Sequence, residues 1–185
     1  MMPEISLNIL DVAQNSITAG ASLIQILVTA DTNGDCLTVI IQDDGCGMTK
    51  EQVERITDPF YTTRTTRKVG LGIPFFKYAA IATGGSFHIE STVSVGTTIT
   101  ATFALSHIDR MPLGDMTSTI HTLIIMNTRI DFLYTYTVDK SSFTLDTREF
   151  RTILGGLSFD LPEISLYIKE YLSDNKKEVD HGLVL

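Results

Sequence analysis

The sequence predicts an α+β protein in which a mixed sheet carries helices on one face. An amphipathic pattern over residues 4–20 predicts a first helix, and alternating apolar residues predict strands at 22–29 and 36–42. A second helix is predicted at residues 71–85, and two further strands follow it. Helices interleaved with hairpin-forming strands are typical of the α+β class, in which one face of the sheet is covered.

The first predicted helix ends at Gly20 and carries polar side chains within an otherwise apolar segment. Residues three and four apart share a helix face, so one face is polar: Asn8, Asp11, Asn15 and Thr18. The other face is apolar: Ile5, Ile9, Val12, Ala13 and Ile17. Two interpretations follow, a surface helix whose polar face meets water and a helix that lines a polar pocket holding a cation.

Turn and cap signals define the next elements. Asn33-Gly34 predicts a hairpin between the first two strands. Thr49, with Gln52 three residues later, predicts the start of a short helix. Residues 57–70 show no periodicity and predict a loop, and strands are predicted at 86–92 and 96–105.

Beyond residue 105 the pattern changes, which predicts three segments: a domain at 1–105, a connector at 106–115 and a small α+β extension at 116–185. The extension contains a predicted helix at 116–126, a hairpin, and a final helix that begins at Pro162. One hairpin strand is apolar at every second residue: Phe132, Tyr134, Tyr136 and Val138. This period of two indicates a buried face or, alternatively, a partner-binding face.

Composition restricts the function classes. The 185 residues carry a formal charge of −8 with a pI near 4.8, which argues against binding nucleic-acid phosphates by bulk electrostatics. Two cysteines without a CxxC pair are typical of a reducing compartment, and no apolar run is long enough for a membrane span. We therefore expect a cytoplasmic protein that binds neither nucleic acid nor membrane.

Four elements together indicate nucleotide binding. Asp43 ends a strand, where its carboxylate can accept a hydrogen bond from an adenine amino group, and Gly45 and Gly47 let the base approach the backbone. Gly70 and Gly72 precede a helix, whose free N–H groups favour phosphate. Mg²⁺ usually takes one or two protein oxygens, of which the Asn15 amide would be one. Asp11, one helical turn earlier, is then placed to orient a water or hydroxyl for attack on the γ-phosphate.

These motifs resemble the GHKL ATPase superfamily, which includes gyrase, heat-shock chaperone, histidine-kinase and mismatch-repair ATP-binding domains with the Bergerat fold. LDVAQNSITAGAS resembles the N-box, DDGCGM the G1 box, DPFYTTR the F-box and lid, GLGI the G2 box and GTTITATF the last strand. The layout also resembles orphan ATP-binding proteins of anaerobic bacteria, without the usual dimerisation and phosphoacceptor domain upstream.

The resemblance implies roles for individual residues. It implies Asn15 as a Mg²⁺ ligand, Asp43 as the adenine reader and Thr97 as a water-mediated helper. The full set of nucleotide-binding residues that we expect is Asn8, Asn15, Asp43, Gly45, Gly47, Met48, Phe60, Thr63, Arg64, Arg67, Lys68, Gly70, Leu71, Gly72 and Thr97.

Two positions depart from the family pattern. Asp11 stands where hydrolysing members carry Glu, and Lys68 replaces the first glycine of the lid. Arg64, Arg67 and Lys68 therefore either contact phosphates or form a solvated basic loop.

Several activities fit this Mg-ATP site, with an unidentified protein partner. The protein is a regulatory ATPase, a protein kinase that acts on a partner hydroxyl as anti-sigma factors do, or a nucleotide sensor without catalysis. A fourth possibility uses His107, because SHIDRMPL at 106–113 resembles the phosphoacceptor box of histidine kinases. The preceding residues form a predicted strand, and Ile108 stands where the box has an acid, so we expect an interdomain connector there.

Overall fold

The computed structural model describes residues 3–57 and 72–185. Its helices are α1 Ile5–Thr18, α2 Lys50–Ile56, α3 Gly72–Ala82, α4 Met116–Met126, α5 Thr147–Ile153 and α6 Pro162–Asp180. Its strands are β1 Leu23–Asp31, β2 Cys36–Asp43, β3 Phe87–Thr92, β4 Gly96–Ala104, β5 Asp131–Val138 and β6 Ser141–Asp146.

The strands of these residues form one mixed sheet in the order β3-β4-β2-β1-β5-β6. β1 and β2 form the predicted antiparallel hairpin, and β4 pairs antiparallel with both β2 and β3. β1 also pairs with β5 in parallel, with Leu23 opposite Asp131. The predicted mixed α+β sheet is therefore confirmed.

Helices cover one face of the sheet, as predicted. Along β1 the inward side chains, from Ile24 to Ala30 at every second position, are all buried, whereas the residues between them are partly or fully exposed. Against this inner face, Phe76 of α3 contacts Phe87 and Phe103 with ring centroids 5.9 and 5.8 Å apart. Burying an aliphatic or aromatic side chain of this size contributes about 1.5–3 kcal/mol, so this layer holds α3 against the sheet.

The helix starts predicted at Thr49 and Pro162 are confirmed, and a further cap is observed at Asp146. Thr49 caps α2 and forms a reciprocal capping box with Gln52. Asp146 caps α5 through the backbone N–H of Arg148, and Pro162 occupies the first turn of α6. Each cap satisfies backbone N–H groups that have no partner inside the helix.

The predicted extension adds to the same sheet. β5 and β6 pair antiparallel as the expected hairpin, α4 packs on α1, and α6 packs on both strands. The apolar side chains at every second position of β5 are buried, so the buried-face interpretation is confirmed. The division at residues 105–115 stays a prediction.

Between β4 and α4 the chain forms turns without a helix and returns to the start of α1. The backbone N–H groups of Ile5 and Ser6 donate to the carbonyl oxygens of Pro112 and Leu113. His107 lies in these turns, and its Nδ1 accepts from the backbone N–H of Asp109 at 3.2 Å. No long helix surrounds the histidine, and the assignment of residues 106–115 as a connector stays a prediction.

Candidate functional site

The carboxylate of Asp43 is fixed at the end of β2 by two donors. The Ser16 hydroxyl on α1 donates to Oδ2 at 2.6 Å, and the Gly45 backbone N–H donates to Oδ1 at 2.9 Å. A carboxylate has about four acceptor positions, so two of them remain for other donors. Asp43 is half-buried, so its carboxylate remains accessible to a hydrogen-bond donor such as the amino group of a base.

The loop after Asp43 is attached on both sides. The backbone N–H of Cys46 donates to Ala19 at the end of α1, and Ser94 donates to the Cys46 carbonyl. Gly47 has φ +64°, and a Cβ there would lie 2.0 Å from the Thr92 carbonyl oxygen. Only glycine fits this position, because other residues would be strained and would collide with β3.

Ser91 connects two predicted nucleotide residues. Its Oγ accepts from the Met48 backbone N–H at 2.8 Å and donates to the Gly96 carbonyl at 3.0 Å. The Ser91 proton is then used, so the 2.9 Å contact with Thr97 has the Thr97 hydroxyl as donor. The Oγ of Thr97 keeps its acceptor lone pairs, which is the chemistry that a water-mediated helper requires. Thr97 also stands directly opposite Asp43 in the β2–β4 register.

Asp44 points the other way and has a structural role. Its carboxylate accepts from the backbone N–H groups of Ser22 and Leu23 and from the Ser22 hydroxyl. Partial burial alone would raise the pKa of Asp44, but the hydrogen bonds from Leu23 and Ser22 outweigh it and lower that pKa below its usual value. Asp44 therefore holds the start of β1, whereas Asp43 is the acid that contacts α1 through Ser16.

Asp11 lies against the first residue of α3. A Cβ built on Gly72 would be 2.6 Å from Asp11 Oδ2, so the absence of a side chain lets the helix start meet the carboxylate. Asn15 lies one turn further along α1 and is half-buried. The structure thus places Asp11, Asn15 and Asp43 along α1 and the adjoining end of β2.

Two members of the predicted polar stripe lie elsewhere. Asn8 is 1% exposed, and its Nδ2 donates to the Glu4 carbonyl at 3.2 Å. Thr18 is exposed and donates to the Gln14 carbonyl. The stripe is therefore polar over one central turn, from Asp11 to Asn15, because the start of α1 turns Asn8 into the protein.

Seven predicted residues lie outside the described residues: Phe60, Thr63, Arg64, Arg67, Lys68, Gly70 and Leu71.

Sequence reasoning missed Ser16 and Ser91, which position Asp43, Met48 and Thr97. Ser16 gave a usable signal, because it is a hydroxyl four residues after Val12 on the apolar face of α1. Ser91 gave none, since a serine in an edge strand is ordinary.

The described residues of the candidate site could hold a divalent cation only if the protein supplied few of its ligands. Within residues 3–57 and 72–185, no group of three or more His, Cys, Asp or Glu side chains could hold a metal. Mg²⁺ commonly takes one or two protein oxygens and completes its shell with phosphate and water. The donor set around Asn15 and Asp11 is of that kind.

The fold and this arrangement define a nucleotide-binding class: a covered mixed sheet with an acid at a strand end, a glycine turn and a polar helix face. The profile of the family described as histidine kinase-, DNA gyrase B-, and HSP90-like ATPase matches residues 3–107. The chain belongs to this family, and it carries the ATP-binding domain that histidine kinases share.

Relatives agree with this assignment, and a solved structure shares the fold. The chain is 33% identical over 107 residues to a putative sensor protein of Shewanella frigidimarina, which covers 57% of this chain and 16% of the relative. It is 31% identical over 98 residues to sporulation kinase D of Bacillus subtilis, covering 53% of this chain and 19% of the kinase. It thus spans less than a fifth of either relative. The crystal structure of the N-terminal domain of a DNA repair protein shares the fold, with a TM-score of 0.57 at 16% identity over 78% of this chain and 53% of that one.

Among the described helices, none combines the length and apolar character needed to cross a bilayer.

Proposed function

We propose that this protein binds Mg-ATP between α1, the end of β2 and the start of α3, and that it acts as a regulatory ATPase or a protein kinase toward a protein partner. In this proposal Asp43 accepts a hydrogen bond from the adenine amino group, with Thr97 assisting through water. Asn15 supplies the protein oxygen for Mg²⁺, which offsets phosphate charge when bound. The backbone at Gly72, together with Arg64, Arg67 and Lys68, contacts the phosphates.

One observation carries the catalytic part: Asp11 Oδ2 lies 2.6 Å from the position of a Cβ on Gly72. The first N–H groups of a helix attract anions, so the γ-phosphate is expected near this point. A carboxylate there is suited to accept a proton from an attacking water or from a partner's hydroxyl. Asp11 is one methylene shorter than Glu, so it reaches the attacking oxygen only when that oxygen is close.

Phosphate release from ATP and label transfer from the γ-phosphate test the proposal. With Asp11→Asn we expect turnover to fall by about 10²–10⁴-fold, since that is the usual contribution of a general base. Affinity for Mg-ADP should change little, because ADP lacks the γ-phosphate. The matched control is Asp174→Asn, an exposed acid on α6.

The outcomes separate the rival mechanisms. Unchanged turnover in Asp11→Asn would show that Asp11 is not the base. Nucleotide binding without turnover or transfer, with or without partner proteins, would favour a sensor. Acid-labile label on the protein that disappears in His107→Ala would favour autophosphorylation.

The cytoplasm is the compartment that we propose. Cys36 and Cys46 are both free thiols, which persist in a reducing compartment.

A further inference from the structure

The end of α5 and the first turns of α6 carry a concentration of exposed apolar side chains. Residues 153–167 contain five of them, each between 43% and 80% exposed: Ile153, Leu157, Leu161, Leu166 and Tyr167. Single apolar residues at a surface are ordinary, because polar groups cannot cover a whole protein. A concentration of large ones in one short segment indicates an interaction site.

Three aromatic rings join α5 to α6 at this place. Phe150 of α5 contacts Tyr167 and Tyr171 of α6, with ring centroids 6.1 and 5.2 Å apart. Phe150 and Tyr171 are half-buried, so the exposed ring of Tyr167 rests on a packed base. Ile153 lies three residues after Phe150 and therefore shares its side of α5. Ile153 and Tyr167 thus belong to one surface that both helices form.

The charged residues that adjoin these side chains are acidic. Glu163 precedes Tyr167 by four residues and Glu170 follows it by three, so both share its side of α6. Glu149 precedes Ile153 by four residues on α5. All three glutamates are exposed, and none of them forms an ion pair with another described residue.

The cations of the same helices are directed elsewhere. Arg148 pairs with Asp146 at 2.6 Å, and Arg151 pairs with Asp131 at 2.8 Å. Lys169 is the first lysine of α6, and it comes two residues after the exposed tyrosine. Two residues correspond to about 200° of helix rotation, so Lys169 lies on the other side of the helix. The surface is therefore apolar and aromatic at its centre and negative at its edge.

We infer that this part of α5 and α6, called the α5–α6 surface below, binds a basic amphipathic segment of a partner protein. Aliphatic side chains of the segment pack on Phe150, Ile153 and Tyr167, and its lysines or arginines pair with the three glutamates. Tyrosine faces also attract arginine.

Charge selects this occupant. The chain has a net charge of −8, so a second copy and an anionic membrane would both be repelled at an acidic surface, whereas a basic segment is attracted. The α5–α6 surface lies outside residues 3–107, which match the ATPase family. The inference therefore goes beyond the proposed nucleotide chemistry and does not depend on it.

The probe is a fluorescent synthetic peptide of leucine and lysine, about five helical turns long, with lysines on one face and leucines on the other. Fluorescence anisotropy with the full chain, at about 50 mM salt, should show one peptide bound per chain. Ile153→Ser and Tyr167→Ser should each weaken binding by at least about fivefold, because the peptide then buries less apolar area. Ile108→Ser is the matched control, since Ile108 is 94% exposed in the connector, and it should leave the affinity unchanged.

Charge variants test which acids the peptide meets. Glu163→Gln combined with Glu170→Gln should weaken binding by about 2- to 5-fold and make it less sensitive to added salt. Glu51→Gln combined with Glu54→Gln on α2 removes the same charge at exposed positions, and it should change the affinity by less than about 1.5-fold. Urea unfolding curves establish that each variant is folded.

Four results would overturn the inference. No saturation below about 0.1 mM peptide would mean that the surface has no useful affinity for such a segment. Equal losses in Ile153→Ser and Ile108→Ser, or in the two pairs of glutamate variants, would mean that the peptide responds to net charge alone. A dimer in sedimentation that disappears in Ile153→Ser would assign the surface to a second copy. A chain that fails to bind ATP would still give the peptide titration, so the two proposals fail separately.

Discussion

At the scale of single residues, Ser16 links the first helix to the acid that we propose reads adenine. Ser16→Ala removes the donor to Asp43 Oδ2 and leaves that carboxylate with the Gly45 N–H alone. One hydrogen bond contributes about 0.5–1.5 kcal/mol, so we expect Mg-ADP affinity to fall by about 2- to 10-fold. Calorimetric titration measures this change.

Ser6→Ala is the matched control. Ser6 is also a buried serine of α1, and its hydroxyl donates to Glu4 Oε2 at 3.0 Å. Both variants should lose about 1 kcal/mol of unfolding free energy, but only Ser16→Ala should weaken nucleotide binding. Equal affinities in the two variants would mean that Asp43 needs no support from α1.

Two glycines allow steric collision to be separated from backbone strain. Gly20 has φ +75° with no atom within 4 Å of a built Cβ, whereas Gly47 has φ +64° with the Thr92 carbonyl at 2.0 Å. Gly20→Ala should cost about 1–2 kcal/mol, the usual penalty of a left-handed conformation. Gly47→Ala should cost at least about twice as much in urea unfolding, because β3 must also move. Similar losses at the two positions would argue against the close packing of this loop on β3.

At the scale of elements, α6 is fastened to the sheet by a buried charge. Asp180 is 4% exposed, and its Oδ2 accepts from Lys176 Nζ at 2.5 Å and from the Tyr136 hydroxyl at 3.3 Å. Lys176 Nζ also lies 5.4 Å from the centre of the Tyr136 ring. Burial, followed by the charge of Asp180, raises the pKa of Tyr136, so the phenol stays a neutral donor to the carboxylate.

Lys176→Met removes the cation from this group and leaves Asp180 buried with neutral donors only. We expect a loss of about 2–4 kcal/mol in unfolding free energy, near the usual cost of breaking a buried pair. The adjacent Lys177→Met, at an exposed position, should change it by less than about 0.5 kcal/mol. If the two variants unfold alike, the Lys176–Asp180 contact contributes no net stability.

The sequence predicted where helices and strands lie better than it predicted which strands pair and which helices pack together. Periodicity and caps located α1, α2 and both hairpins, because those signals depend on neighbours a few residues apart. The parallel pairing of Leu23 with Asp131 left no local signal, since it is decided by how α4 carries the chain across α1. The burial of Asn8 was also missed, because α1 is covered at its start by the connector that returns at Pro112.

At the scale of the whole molecule, the family match and the folded unit do not coincide. The match ends at residue 107, yet β5 pairs with β1 over its full length, and α4 covers α1. Among the residues that the structure describes, the buried apolar side chains form one cluster that runs from Ile5 in α1 to Leu185. The proposed nucleotide site depends on α1, so residues beyond the match support the site without belonging to it.

This dependence predicts the behaviour of a fragment that ends at residue 107. It would leave β1 as an unpaired edge of the sheet and uncover the side of α1 that packs on α4. Each buried apolar side chain that becomes exposed costs roughly 1.5–3 kcal/mol, so the loss of several is comparable to the about 5–15 kcal/mol that stabilises an ordinary domain. We therefore expect the fragment to lack cooperative urea unfolding and to bind Mg-ADP at least about 100-fold more weakly than the full chain. A fragment that unfolds cooperatively and binds within about twofold of the full chain would instead show an autonomous domain ending near residue 105, with residues 116–185 as a separate addition.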